Sequence, residues 1–152
     1  ALNILRGMQK NGEVKMTLVT LMPEQKGNSL LNRFDENGIN IVQLNQGRFN
    51  IFRCVSALNR YVRKNNINVI HSTGYQADLV NMLVRENVKK VSTQRCHPRE
   101  IGEKQSKWIR PLLEWGHLQI IKRMDALKLV MNNRHFYERI QLTHLLIVYK
   151  LL

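Results

Sequence analysis

Four consecutive residues, His71-Ser72-Thr73-Gly74, gather side chains suited to holding a polar ligand. An imidazole and two hydroxyls donate and accept hydrogen bonds, and a glycine lets the chain turn sharply. The apolar pair Val69-Ile70 precedes them and an amphipathic segment follows. That is the pattern of a buried parallel strand ending in a tight loop before a helix, and in open α/β sheets such strand ends line the ligand crevice. The plainer alternative is a hydrogen-bonded histidine near the core surface, with Gly74 serving only the turn. A second group, Thr93-Gln94-Arg95-Cys96-His97, leaves another strand-like run. His97 can hydrogen-bond a hydroxyl or move a proton near neutral pH, and Arg95 can hold a phosphate through two parallel bonds. These two are the catalytic candidates, set against an ordinary solvated loop.

A third group is spread over residues 104–123, where Lys104, Lys107, Arg110, Lys122 and Arg123 alternate with Trp108 and Trp115. Basic amphipathic segments can lie on anionic membranes. An aromatic stripe at helical spacing more often packs into a core, and core packing with a basic outer face is the favoured expectation here. Arg53 and Arg60, on a helix over residues 51–64, read as a solvated face. Cys54 and Cys96 lack the spacing of a zinc or redox site and read as two reduced thiols. No metal site is expected.

The elements that must position these groups follow from periodicity. Leu2, Leu5 and Met8 predict a helix over 1–10, closed by Asn11-Gly12. Residues 14–21 are apolar and β-branched, a strand. Leu30, Leu31 and Phe34 predict a short helix ended by Asn37-Gly38. Residues 39–44 alternate as a strand near a sheet edge would. Ile51, Val55, Leu58 and Val62 form a stripe, with Arg63 and Lys64 in the last turn to complement the helix dipole. Ala77, Leu79, Val80, Leu83 and Val84 predict the helix after the His71 turn. Residues 90–94 read as a strand, and 106–124 as a helix with an apolar face of Trp108, Leu112, Trp115, Leu118, Ile121 and Met124. A strand over 127–131 and a short helix over Phe136, Tyr137 and Ile140 complete the pattern. Strands alternating with helices at this spacing predict an α/β fold with a doubly wound, mostly parallel sheet.

With 152 residues and 43% hydrophobic side chains, one domain with a sizeable core is expected. No apolar run reaches about 18 residues, which excludes a transmembrane helix from the sequence reading, and no basic-then-apolar leader opens it. Lys+Arg 24 against Asp+Glu 11 leaves a formal charge of +13, which attracts polyanions: nucleic acid, anionic lipid or phosphorylated substrates. No zinc-finger, helix-turn-helix or RNP signature is present, so no specific nucleic-acid partner is expected.

Four stretches, in order, resemble the N-terminal, acceptor-binding domain of the family 4 glycosyltransferases, two-domain retaining enzymes with twin Rossmann-like lobes. They are "NGEVKMTLVT", "ENGINIVQL", "RYVRKNNINVIHSTGYQADLV" and "KKVSTQRCHP". The resemblance covers residues 1–139, taken as a partial domain, and leaves 140–152 as an unassigned apolar tail. It implies an enzyme passing a sugar from a nucleotide-diphosphate sugar, its co-substrate, to a glycan or lipid-linked acceptor, with no bound cofactor. His71, Ser72, Thr73, Gly74 and Gln94 then become acceptor-binding residues. Several family features are absent: the first, central strand with its Gly-Gly turn, a serine at the end of the strand near "VMNN", and the C-terminal lobe with the donor pocket. His97 lies two positions later than the family's threonine-x-histidine. The resemblance therefore implies a cytoplasmic fragment without activity of its own, with contact of 104–123 to an anionic membrane as the alternative to core packing. A basic α/β polyanion-binding module and a non-functional gene remnant are the alternatives.

Overall fold

The computed structural model describes residues 14–21, 31–44, 50–94, 108–129 and 145–151. In chain order the elements are β1 (Val14–Thr20), α1 (Leu31–Asp35), β2 (Asn40–Gln43), α2 (Ile51–Asn65), β3 (Val69–Thr73), α3 (Tyr75–Leu83), β4 (Lys89–Gln94), α4 (Arg110–Ile121), β5 (Ala126–Leu129) and β6 (Leu145–Leu151). The helices expected over 1–10 and around Phe136 lie outside the described residues, as do Arg95 and His97.

The strands form one six-stranded sheet in the order β2-β1-β6-β3-β4-β5. β1 pairs parallel with β2, β3 with β4, and β4 with β5. β6 runs antiparallel to both of its neighbours, β1 and β3. Five strands therefore share one direction and a single reversed strand stands among them, which gives an α/β fold on a mixed sheet. The segment 140–152, unassigned by the resemblance, contributes this β6. Its composition suits the place: a strand covered on both faces needs apolar residues at successive positions, and Leu146, Ile147 and Val148 are all buried. β2, alternating as an edge strand should, does lie at one margin of the sheet.

Strand alternation sends neighbouring residues to opposite faces and so divides the core in two. On one face Val19, Ile70, Leu146 and Val148 pack with Cys54, Leu58 and Val62 of α2 and with Ala77 and Val80 of α3. On the other, Met16, Leu18 and Ile147 pack with Phe34 of α1 and with Ile39. Burial pushes the Cys54 thiol up from its ordinary pKa, as befits an inert core side chain.

Local chemistry sets the approach to β3. α2 ends in a Schellman arrangement: Asn66 takes the left-handed conformation, its N–H donates to the Arg63 carbonyl, and the Ile67 N–H donates to the Val62 carbonyl. Ile67, just beyond the cap, is buried in the core. The chain thus leaves α2 already anchored where β3 begins.

β6 supplies side chains to both cores and closes the inner edges of β1 and β3. Val148→Asp should therefore abolish cooperative thermal unfolding followed by circular dichroism. A peripheral tail would instead tolerate the change within about 0.5 kcal/mol.

Candidate functional site

At the end of β3, Gly74 has φ 94° and ψ 153°, a region essentially closed to residues with a Cβ. The glycine is thus required to turn the strand into α3. Alternation along β3 then separates the residues around it. Ser72 points to the α2–α3 face and is fully buried, whereas His71 and Thr73 lie on the opposite face and are half-buried. The His71 Nε2 atom is 2.6 Å from Thr93 Oγ1 of β4.

Behind the turn is a polar cluster centred on Asp78 in the first turn of α3. Its Oδ1 accepts from Ser72 Oγ at 2.6 Å and from Ser92 Oγ at 2.9 Å. Its Oδ2 accepts from Gln94 Nε2 at 2.8 Å and lies 3.2 Å from Nε2 of His117 in α4. Asp78, Ser72, Ser92 and His117 are all at zero exposure. A carboxyl group in such a place must be matched by donors, and these four partners, from three elements, provide them. With its hydrogen on Nε2, His117 donates to Asp78, and its Nδ1 has no hydrogen-bond partner among the described residues. Tyr75 meets the His117 ring edge-on at 5.3 Å between centroids. Asn81 adds donations to Ser72 Oγ and to the carbonyls of Ile70 and Val91. At the other end of α3, Lys90 Nζ donates to the Met82 and Val84 carbonyls. Burial lowers the Lys90 pKa and the Asp125 carboxylate opposes that shift.

The residues singled out from sequence are therefore divided between two environments. His71, Thr73 and Gly74 remain at the strand end. Ser72 and Gln94 turn inward and bond to Asp78. Asp78, Asn81 and His117 were not legible as a cluster. The available signal was an acid and an amide within the inward stripe of α3, and a histidine inside the apolar run 112–121.

A further hydroxyl joins the strand-end set. Thr20, last in β1, lies across β6 from Thr73: both are in register with Leu145. It falls on the same sheet face as His71 and Thr73, because Met16 and Leu18 of β1 and Val69 of β3 share that face's core. Thr20 Oγ1 is buried and has no hydrogen-bond partner among the described residues. Such a group costs free energy unless something outside the fold satisfies it.

Of the expected core stripe, Ile121 and Met124 are half-buried and the other members face out; Lys104 and Lys107 lie outside the described residues. α4 turns His117 and Ile120 inward, while Trp108, Leu112, Trp115 and Leu118 are exposed by 92%, 67%, 61% and 46%. With His117 bonded to Asp78 and Ile120 buried beside it, the side of α4 opposite them is the one left outside. No metal-binding group of three or more His, Cys, Asp or Glu occurs among the described residues. None of their helices is long and apolar enough to cross a membrane.

No family model matches the chain, and no curated protein or solved structure matches it.

Removing the acceptor at the centre of the cluster strands three or four buried donors at once. Asp78→Ala is expected to cost about 3–5 kcal/mol in urea unfolding. A loss below about 1 kcal/mol would mean that the cluster does not hold α3 and α4 to the sheet.

Proposed function

We propose that the chain forms the acceptor side of a sugar-transferring cleft, with the site at the ends of β1 and β3. In the family it resembles, the nucleotide-sugar donor is held mainly by a second lobe. The transferred sugar passes to an acceptor hydroxyl in the cleft between the two lobes. The sequence resemblance supplies this chemistry, and the placement of three polar side chains supports the location. The strand order reverses about β6: from there β1 leads outward to β2, and β3 leads outward to β4 and β5. Ligands of open α/β sheets bind outside the carboxyl ends of the strands at such a reversal.

The observation that carries the proposal is the Thr20 hydroxyl, which has no partner among the described residues, on the same face as Thr73 and His71. A polyhydroxylated ligand offers donors and acceptors to that set, and the imidazole and hydroxyls can answer in either role. Ser72 and Gln94, occupied with Asp78, shape the turn from behind. The finer description, a Rossmann-like lobe, belongs to the same proposal.

Thr20→Val separates ligand binding from structure. Replacing an unsatisfied buried hydroxyl by a methyl group is neutral or stabilising for the fold. In saturation-transfer NMR against methyl glucoside, methyl mannoside and N-acetylglucosamine, Thr20→Val and Thr73→Val should each weaken binding about fivefold, near 1 kcal/mol per hydrogen bond. Arg85→Ala, at the other end of the sheet, should leave it unchanged. Absence of binding to every sugar, or binding indifferent to both threonines, would overturn the proposal.

One observation favours a second function. α2 carries Arg53, Arg60, Arg63 and Lys64 and no carboxylate. Arg60, Arg63, Lys64 and Arg85 line one groove beside the exposed ring of Phe52. Glu86 pairs with Arg63 at 2.7 Å and leaves the other cations available to a polyanion. Binding of a DNA duplex would then weaken with salt by a log–log slope of about −0.9 per phosphate contacted, and Arg60→Ala or Lys64→Ala would each reduce that slope by about one contact. Sequence-selective binding at physiological salt would favour this function over sugar transfer, and a slope unchanged in both variants would remove it.

A further inference from the structure

We infer that α4 is a docking helix that lies in the interface of an anionic membrane, with its Leu112, Trp115 and Leu118 inserted together with Trp108 of the turn just before it. The inference is independent of sugar transfer, since it uses a different element and a different face of the molecule. Leu112, Trp115 and Leu118 fall on one side of α4, three residues apart, and Trp108, in the turn before it, is exposed as well. The opposite side is held against α3 through His117 and Ile120. The side left outside is thus the one richest in large apolar groups, and contiguous exposed apolar surface of this kind marks an interaction site.

Composition and charge decide what covers it. Tryptophan places an apolar body and a polar N–H together, which suits the boundary between headgroups and acyl chains. At the end of the helix Lys122 and Arg123 are exposed, positioned to meet anionic headgroups as the apolar side chains enter. Glu114, the acid within α4, is bound to Arg110 at 3.0 Å and so adds no unpaired negative charge. A second copy of this chain is a poor occupant, because it would bring Lys122, Arg123 and a charge of +13 against the same charges. A nucleic acid would meet leucines where it requires cations.

The sequence makes the test direct. Its two tryptophans are Trp108 and Trp115, so tryptophan fluorescence of the full chain reports on this helix and the turn that leads into it. Vesicles of phosphatidylcholine with phosphatidylglycerol should shift the emission to the blue and shield it from acrylamide. Vesicles of phosphatidylcholine alone should do so much less. Leu112→Ser with Leu118→Ser keeps both reporters and changes exposed positions, so the fold is retained while vesicle affinity falls about tenfold or more. Lys122→Gln and Arg123→Gln should each reduce it about fivefold, as a cation near an anionic surface contributes about 1 kcal/mol. The inference fails if emission does not move, or if neutral vesicles act equally. It fails also if emission in buffer is already blue-shifted and reddens on dilution, which would assign the face to self-association. Loss of vesicle binding in Arg60→Glu with Lys64→Glu, but not in the leucine pair, would assign the attraction to α2 and overturn it.

Discussion

The inner edges of β1 and β3 each present a row of backbone donors and acceptors, and burying such rows unpaired is prohibitively costly. β6 satisfies both at once. Without it β2-β1 and β3-β4-β5 would be two separate ribbons, each with an open edge prone to pairing with other chains. The reversed strand also carries Leu146 and Val148 into one core and Ile147 into the other, so the two apolar layers on either side of the sheet close over the same three residues. Position and composition agree: only a strand apolar at consecutive residues can occupy a place covered on both sides.

The second organising interaction is polar. Asp78 draws Ser72 from β3, Ser92 and Gln94 from β4 and His117 from α4 to a single buried carboxyl group. Its demand for donors has consequences at a distance. It binds Ser72 and Gln94, which strand alternation turns inward, and so leaves the strand end to His71 and Thr73. It also bonds His117 of α4, and the side of that helix opposite His117 is left outside. One buried acid therefore lies behind both the strand end and the outer side of α4.

Much of the fold was legible in local pattern. The stripe Ile51, Val55, Leu58 and Val62 predicted α2, Val69-Ile70 before small polar residues predicted the β3 turn, and Gly74 has the backbone that such a turn requires. The strand-end site was legible in part, since His71, Thr73 and Gly74 stand together in sequence. Thr20 was not, because its relation to Thr73 exists only through the register of both strands with Leu145. The face of α4 was misjudged for a related reason. Hydrophobic periodicity locates a stripe but not the neighbour it meets, and here the side that meets α3 carries His117, bonded to Asp78.

By itself the sequence determined the α/β class, the alternation of elements and the strongly cationic surface, because propensity, periodicity and charge are carried by each residue whatever surrounds it. Tertiary structure alone decided which apolar run fills the centre of the sheet, which polar residues of one strand face the core, and which side of α4 faces out. Each of these is a choice among partners distant in sequence. It is settled by satisfying backbone edges and buried polar groups together, and no local pattern records that competition.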